Sequence, residues 1–303
     1  MSGLTSLLFV YLFILLGYLA KRLFNEEIHS RTLTLVSVYF TQPFVSIWGF
    51  STATLSLEHI WVPLYYFGII ALVMLPTILI AKQLFKDPKE RAIFSIAGVV
   101  GNTGNIGIPL GIALFGESSV IYTTLINIAN VFVVYILGVY IYSRGSFSVR
   151  DSLLNIVKIP IIPASLFAIV LNLNGITFSP AMAEFLKMGA YAGIVIQLFL
   201  LGTFLYGLKI KTLQPRLMIG TLSQKFIILP LVTAGILSLT TLPLMVQGIL
   251  LMEMMTPLAI ANINLASLYH CRPQETTTLI LLSTLLFAPL LIILSQIILY
   301  YYQ

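Results

Sequence analysis

Charged side chains are scarce in this sequence of 303 residues. Aspartate, glutamate, lysine and arginine make up 9% of it, whereas apolar residues make up 59% and the mean hydropathy is +1.02. A soluble domain carries about 25% charged residues, because such groups cover its surface. The scarcity therefore excludes a soluble globular protein, a disordered chain and a nucleic-acid-binding protein, although the net charge is +6. The lipid bilayer is the expected surrounding of this chain.

Residues that build disulfides, metal sites and active sites are also few. Cys271 is the single cysteine, so no intrachain disulfide can form, and the three histidines show no metal-ligand spacing. The apolar segments contain no pair of a nucleophile and a base. The sequence therefore predicts no metal, no cofactor and no enzymatic activity.

Long charge-free runs divide the chain into membrane-length segments. A helix needs about 20 apolar residues to cross ~30 Å of hydrocarbon. The runs predict ten such helices, at 4–21, 32–50, 60–82, 91–116, 118–142, 153–173, 185–208, 216–238, 244–269 and 276–300. Continuous apolar runs exclude a β-barrel, whose strands alternate apolar and polar residues. The predicted fold class is an all-α polytopic membrane protein.

Lysine and arginine are concentrated in alternate loops. Thirteen of the sixteen basic residues follow odd-numbered predicted helices. Because cytoplasmic loops carry an excess of positive charge, the odd-numbered loops are expected to be cytoplasmic and both termini to lie outside. The expected location is the bacterial inner (plasma) membrane.

Prolines recur at an offset near 150 residues. Pro63 and Pro215 lie at helices three and eight, and Pro109 and Pro257 interrupt helices four and nine. The recurrence predicts two five-helix repeats. A repeat with an odd number of helices leaves the next copy inverted in the membrane, as in many secondary transporters.

The two repeats are expected to cover residues 1–150 and 151–303. Inverted repeats can exchange conformations, so that a central site opens to each side of the membrane in turn.

Helices four and nine carry the signal for a binding site. Helix four contains Gly101–Pro109, which is rich in glycine, asparagine and proline, and helix nine contains Thr256 and Pro257. Unwound backbone persists in a membrane only where protein or a water-filled cavity satisfies it, and helix N-termini that point into such a cavity favour an anion. The candidate substrate-binding residues are Asn102, Thr103, Asn105, Pro109, Thr256, Pro257 and Asn262, with Gln42 and Gln197 in helices two and seven.

Two charged residues fall inside predicted helices. Lys225 lies near the middle of helix eight, and Glu253 lies near the break in helix nine. A charge at the bilayer centre costs roughly 2.5–3.5 kcal/mol on insertion scales and marks a functional pathway. Three hypotheses stay open: the two residues form an ion pair, Lys225 attracts a substrate carboxylate, or Glu253 carries a coupling proton.

The interrupted segments resemble a known family. Asn102-Thr103 followed by Gly107–Leu110 is similar to the first crossover of the auxin efflux carrier family, which includes plant auxin exporters and bacterial malonate/malate-type permeases within the bile acid/auxin transporter superfamily. Pro257 with Ala266 and Tyr269 resembles its second crossover, and Thr41-Gln42-Pro43 resembles its second helix. At position 261, where the bacterial pattern often has asparagine, this chain has alanine.

The resemblance implies a ten-helix fold in which helices 1, 2, 6 and 7 form a scaffold that dimerises. Helices 3–5 and 8–10 would form a mobile transport domain, and Asn102, Pro109 and Pro257 would line the site. The resemblance also implies a homodimer with an elevator-like mechanism.

The expected function is secondary active transport, with export of a small organic anion by alternating access. Coupling to protons or to the membrane potential is favoured over sodium, because the chain offers only Glu253, Thr103 and Thr256 near the breaks as sodium ligands. Two alternatives stay open: a sodium-coupled importer of the bile acid symporter type, and a transporter-like membrane sensor that binds ligand without moving it.

Overall fold

The structure is a computed structural model that describes residues 3–51, 54–143, 160–206 and 213–301. These residues form helices joined by turns, with one isolated antiparallel bridge and no extended strand among them. The predicted boundary between repeats at 150/151 and the beginning of predicted helix six, at 153–159, lie outside the described residues.

The α-helices of the described residues are α1 (Gly3–Leu23), α2 (Ser30–Val36), α3 (Gln42–Ser51), α4 (Leu57–Leu84), α5 (Pro88–Ala97), α6 (Ile108–Phe115), α7 (Val120–Phe132), α8 (Val139–Tyr142), α9 (Ile161–Leu173), α10 (Pro180–Leu205), α11 (Pro215–Ser223), α12 (Leu229–Leu237), α13 (Leu244–Met255), α14 (Ala261–Leu268) and α15 (Pro273–Tyr301). Short π-helical segments occur at Ser37–Thr41, Thr103–Gly107, Val133–Gly138 and Gln224–Ile228.

Continuous helix is the structure that a membrane demands, because lipid offers backbone groups no hydrogen-bond partner. Within the described residues, six stretches are long and apolar enough to cross a bilayer: Ser30–Ser51, His59–Leu84, Glu117–Tyr142, Pro180–Leu205, Pro215–Leu237 and Pro273–Ile298. Three shorter apolar helices accompany them, at Thr103–Phe115, Ile162–Leu173 and Leu244–Met255. The predicted class of a helical membrane protein is confirmed.

The chain divides into two compact units. Unit 1 comprises Met1–Ile60, Gly104–Ile128 and Val157–Gly207, and unit 2 comprises Trp61–Thr103, Ala129–Ile156 and Leu208–Gln303. The described parts of predicted helices one, two, six and seven fall in unit 1, and residues 61–82 of helix three with helices eight, nine and ten fall in unit 2. Predicted helices four and five are each divided between the two units.

In unit 1, α1 packs closely along α10, and α3 packs against both α9 and α10. Two glycines permit the close approach of α1 and α10. A Cβ on Gly17 would overlap the carbonyl oxygen of Phe199, and a Cβ on Gly202 would overlap the carbonyl oxygen of Ile14. Small residues at such contacts let membrane helices pack backbone against backbone.

In unit 2, α13 lies in the core and packs against α12 and α15. Most of its side chains are buried, including Ile249, Leu250 and Met252. A helix that is apolar and buried around its circumference is typical of the centre of a bundle.

A charged cluster links the beginning of α5 to the beginning of α15 in unit 2. Arg272 Nη1 lies 2.8 Å from Glu90 Oε1 and 2.9 Å from Glu275 Oε1, and Arg272 Nε donates to Asp87 Oδ2 at 3.1 Å. Asp87 also caps α5, since its Oδ1 accepts a hydrogen bond from the Lys89 N–H at 2.8 Å. Partial desolvation raises the pKa of Asp87, but the Lys89 N–H and the Arg272 guanidinium outweigh it and hold this pKa below its ordinary value.

Candidate functional site

Two helix interruptions meet in unit 2. The first follows α5, which ends at Ala97, and the second separates α13 from α14, at residues 256–260. Gly101 and Leu258 form an antiparallel bridge between them. The backbone pairing of residues 100–102 with 257–259 is called the crossing below.

Two backbone hydrogen bonds hold the crossing together. The Asn102 N–H donates to the Pro257 carbonyl at 2.7 Å, and the Ala259 N–H donates to the Val100 carbonyl at 3.2 Å. Both interruptions leave polar backbone groups without helical partners, and burial makes such groups costly unless they are paired. The crossing supplies those partners, so each interruption depends on the other.

Glycine is required at the centre of the crossing. A Cβ on Gly101 would overlap Thr256 Oγ1 and would stand 3.0 Å from Lys225 Nζ and 3.3 Å from the Glu253 carbonyl oxygen. Thr256 is itself fixed, because its Oγ1 donates to the Glu253 carbonyl at 2.7 Å. The two backbone segments therefore approach closely at Gly101, where a side chain larger than that of glycine does not fit.

A buried hydrogen-bonded chain supports the first interruption. The Tyr66 hydroxyl donates to Asn130 Oδ1 at 2.7 Å, and Asn130 Nδ2 donates to the Gly101 carbonyl at 2.9 Å. Tyr66 and Asn130 are 1% and 5% exposed, so water does not compete for these bonds. Sequence reasoning missed both residues. An asparagine in a charge-free apolar segment was the available signal for Asn130.

Lys225 and Glu253 are both completely buried in unit 2. Lys225 lies in the π-helical segment Gln224–Ile228, a type of distortion that is frequent at functional sites. Among the described residues, neither Lys225 Nζ nor the Glu253 carboxylate oxygens have a hydrogen-bond partner, and the two groups make no direct ion pair.

The other predicted site residues of unit 2 differ in how their polar groups are used. Asn102 is 5% exposed, and its Nδ2 has no hydrogen-bond partner among the described residues. Thr103 is buried next to it. Asn262 is also buried, but its Nδ2 donates to the Ala259 carbonyl at 2.9 Å and its Oδ1 accepts from the Tyr142 hydroxyl at 3.2 Å. Asn102 therefore has a donor to offer a ligand, whereas the amide of Asn262 is engaged within the protein.

The remaining predicted site residues lie in unit 1. Gln42 Nε2 donates to Asn105 Oδ1 at 3.5 Å, and Gln197 is 2% exposed with an unpartnered Oε1 among the described residues. Pro109 is the second residue of α6, which follows the π-helical segment Thr103–Gly107 without a break, so Pro109 lies inside the helical stretch Thr103–Phe115. The expected interruption of helix four at Pro109 is therefore placed wrongly, whereas Pro257 takes part in the crossing. The substrate contacts expected of these residues stay predictions.

The described residues contain no group of three histidine, cysteine, aspartate or glutamate side chains that is arranged to hold a metal ion. Asn102 is the polar side chain of the crossing, and Thr256, Lys225 and Glu253 are buried polar residues of the same unit.

Comparison with known proteins places this architecture in a family. A family model described as "Membrane transport protein" matches residues 2–295. A protein of Methanocaldococcus jannaschii described as an uncharacterized transporter is 24% identical over 271 residues, which cover 86% of this chain and 88% of that protein. The chain therefore belongs to the membrane transport protein family, the auxin efflux carrier family that its sequence resembles, and it is a transporter rather than an enzyme.

Proposed function

We propose that this protein is a secondary active transporter that exports a small organic anion, a carboxylate, by alternating access at the crossing. The observation that carries the proposal is the pairing of two interrupted helices beside Asn102, a buried amide donor with no partner among the described residues. Irregular backbone at membrane depth is costly, and it is retained in transporters where it frames a substrate site.

The chemistry of the crossing favours an anionic ligand. Asn102 Nδ2 is a donor without a partner among the described residues, and a carboxylate oxygen is its natural acceptor. The N-terminus of α14 follows the second interruption, and helix N-termini carry partial positive charge. A carboxylate would therefore gain a charge-assisted hydrogen bond and a favourable helix dipole.

The wider architecture is part of the same proposal. It comprises ten membrane helices in two inverted five-helix repeats, 1–150 and 151–303, with a dimeric scaffold of helices 1, 2, 6 and 7 and a mobile domain of helices 3–5 and 8–10. The distribution of basic residues supports cytoplasmic odd-numbered loops and external termini in a bacterial inner membrane.

A binding screen identifies the ligand before transport is measured. The purified protein is heated with acetate, malonate, malate and benzoate, each tested separately against chloride. A ligand that binds the folded state raises the unfolding temperature with the logarithm of its concentration. We expect at least one carboxylate to give a saturable rise.

Transport is then measured in proteoliposomes loaded with the carboxylate that binds. We expect Asn102→Ala to abolish both the thermal shift and the efflux. Asn174→Ala serves as the matched control, because Asn174 is an exposed asparagine whose Nδ2 donates to the Val170 carbonyl at 2.7 Å. Unchanged efflux in Asn102→Ala would contradict the proposed site, and binding with no efflux by the wild type would favour the sensor alternative.

A further inference from the structure

A histidine caps the beginning of α4. Ser56 precedes the helix, and its backbone N–H donates to His59 Nδ1 at 3.0 Å. His59 is the third residue of α4, and its own N–H donates to the Ser56 carbonyl at 3.1 Å. A side chain that reaches back from the third helical position to the residue before the helix is one half of a capping box, where glutamate or glutamine is usual. Here an imidazole ring takes that place.

The hydrogen bond from Ser56 requires a neutral ring. A backbone N–H can only donate, so His59 Nδ1 is the acceptor and the ring carries its proton on Nε2. The charge of a histidine side chain changes between about pH 5 and 8, and both nitrogens of the charged ring are donors. Protonation of His59 therefore removes the acceptor of the Ser56 N–H. It also places a positive charge at a helix N-terminus, where the helix dipole disfavours it.

Tyr122 of α7 holds the ring in position. The rings of His59 and Tyr122 are stacked, with centroids 5.2 Å apart and planes at 23°. An aromatic face attracts a cation as well as a neutral ring, so this contact is kept after protonation. Phenols ordinarily titrate at about pH 10, and Glu58 is the charged residue next to His59 in the sequence. Because stacking keeps Nδ1 directed at Ser56, a change in the charge of the ring acts on that hydrogen bond.

This cap lies where the chain passes from one compact unit to the other. Unit 1 includes the chain up to Ile60, and unit 2 begins at Trp61. Before the cap, the Leu55 N–H donates to Asn172 Oδ1 at 2.7 Å, which holds the chain to α9 within unit 1. The residues that absorb a domain movement are few and lie in loops or at the ends of elements. The first turn of α4 has the position of such a hinge.

We propose that His59 is a pH-sensitive switch at the beginning of α4. With a neutral ring, the hydrogen bond from Ser56 holds the first turn of α4 to the segment that α9 anchors. With a charged ring that bond is lost, the turn opens, and the chain between the two units gains freedom. His59 is only partly buried, so protons from solution reach it.

Hydrogen exchange of the Ser56 amide tests the switch without any substrate. His59→Asn keeps an acceptor at the δ position that does not titrate, whereas His59→Phe keeps a ring without an acceptor. At about pH 8 we expect equal protection in the wild type and His59→Asn, and less in His59→Phe. At about pH 5 the wild type should fall to the level of His59→Phe, whereas His59→Asn keeps its protection. Wild-type protection equal to that of His59→Asn at both pH values would overturn the proposal.

Two controls separate His59 from other titratable groups. His29 also precedes a helix, α2, but its Nδ1 lies 3.3 Å from the Glu27 carbonyl oxygen instead of a backbone N–H. Glu58→Gln removes the carboxylate next to His59. We expect His29→Asn and Glu58→Gln to lose protection of the Ser56 amide on acidification, as the wild type does. Disappearance of this response in either control would assign it to another group and overturn the proposal.

The transport test rests on the proposed function, because alternating access requires one part of the protein to move against another. Efflux is measured with the same pH on both sides of the membrane, so that no pH gradient drives it. We expect the wild type and His59→Asn to export at equal rates at about pH 8, and the wild type to be faster at about pH 5 because its hinge is free.

Equal rates of the wild type and His59→Asn at both pH values would overturn a role of His59 in transport. A wild type without efflux at either pH would count against the proposed function instead. The exchange of the Ser56 amide would then still decide whether His59 is a switch.

Discussion

Replacement of Gly101 by alanine tests the geometry of the crossing at a single atom. The added Cβ would overlap Thr256 Oγ1, which is held by its hydrogen bond to the Glu253 carbonyl. Overfilling of a packed interior costs about 1–3 kcal/mol. For a chain of this size, each kcal/mol lowers the unfolding temperature by roughly 2–4 °C. We also expect carboxylate efflux to fall at least about ten-fold, which corresponds to ~1.4 kcal/mol.

A double-mutant cycle separates the overlap from general damage. Thr256→Ala alone removes one hydrogen bond and should cost about 0.5–1.5 kcal/mol. In Gly101→Ala/Thr256→Ala the overlapping oxygen is gone, and the nearest atom is the flexible end of Lys225 at 3.0 Å. The double variant should therefore be at least about 1 kcal/mol more stable than the sum of the single effects predicts.

The assay is thermal unfolding of the purified variants, run beside efflux from proteoliposomes. Gly68→Ala is the control, because no atom lies within 4 Å of a Cβ at this helical position. It should be neutral or stabilising by about 0.4–1 kcal/mol. An overlap at Gly101 is refuted if the free-energy changes of Gly101→Ala and Thr256→Ala add within about 0.5 kcal/mol, or if Gly101→Ala destabilises the protein no more than Gly68→Ala does.

Three further predictions concern other contacts. Tyr66→Phe leaves the buried Asn130 Oδ1 without its hydrogen-bond donor and should lower the free energy of unfolding by about 1–3 kcal/mol, measured by thermal unfolding. An unchanged unfolding temperature would contradict the supporting role of the hydrogen bonds from Tyr66 through Asn130 to Gly101. Gly17→Ala forces α1 away from α10 and should destabilise unit 1 while carboxylate affinity in the remaining folded protein is unchanged, which a binding isotherm checks. The pKa of Asp87 is held below its ordinary value, so its stabilising contact is present when the pH is above that ordinary value and is lost as the pH falls through the lowered pKa. Asp87→Asn should therefore show a smaller loss of stability between neutral and acidic pH, and equal losses would argue against the contact with Arg272.

Much of the fold follows from hydropathy, since lipid leaves the backbone few choices. Predicted helix eight at 216–238 corresponds to the observed stretch Pro215–Leu237, and the predicted interruption at Thr256 and Pro257 is present. These features depend on neighbouring residues only. A long apolar run favours a membrane helix, and a proline lacks the backbone N–H that would donate a helical hydrogen bond.

The candidate site was less predictable because its contacts are distant in sequence. The hydrogen bond between Tyr66 and Asn130 joins residues 64 positions apart, and no hydrophobic periodicity or sequence motif predicts it. The first interruption lies at Gly101 and Asn102, whereas Pro109, the stronger helix-breaking residue, lies inside the helical stretch Thr103–Phe115. Backbone pairing with the second interruption decides where the first helix stops, and that pairing is visible only in three dimensions.

Voltage-driven efflux of a carboxylate from proteoliposomes tests the central claim most directly, with wild type, Asn102→Ala and Asn174→Ala measured side by side. We expect saturable efflux in the wild type and in Asn174→Ala, with none above the protein-free background in Asn102→Ala. Equal efflux in all three proteins would contradict a carboxylate site at the crossing.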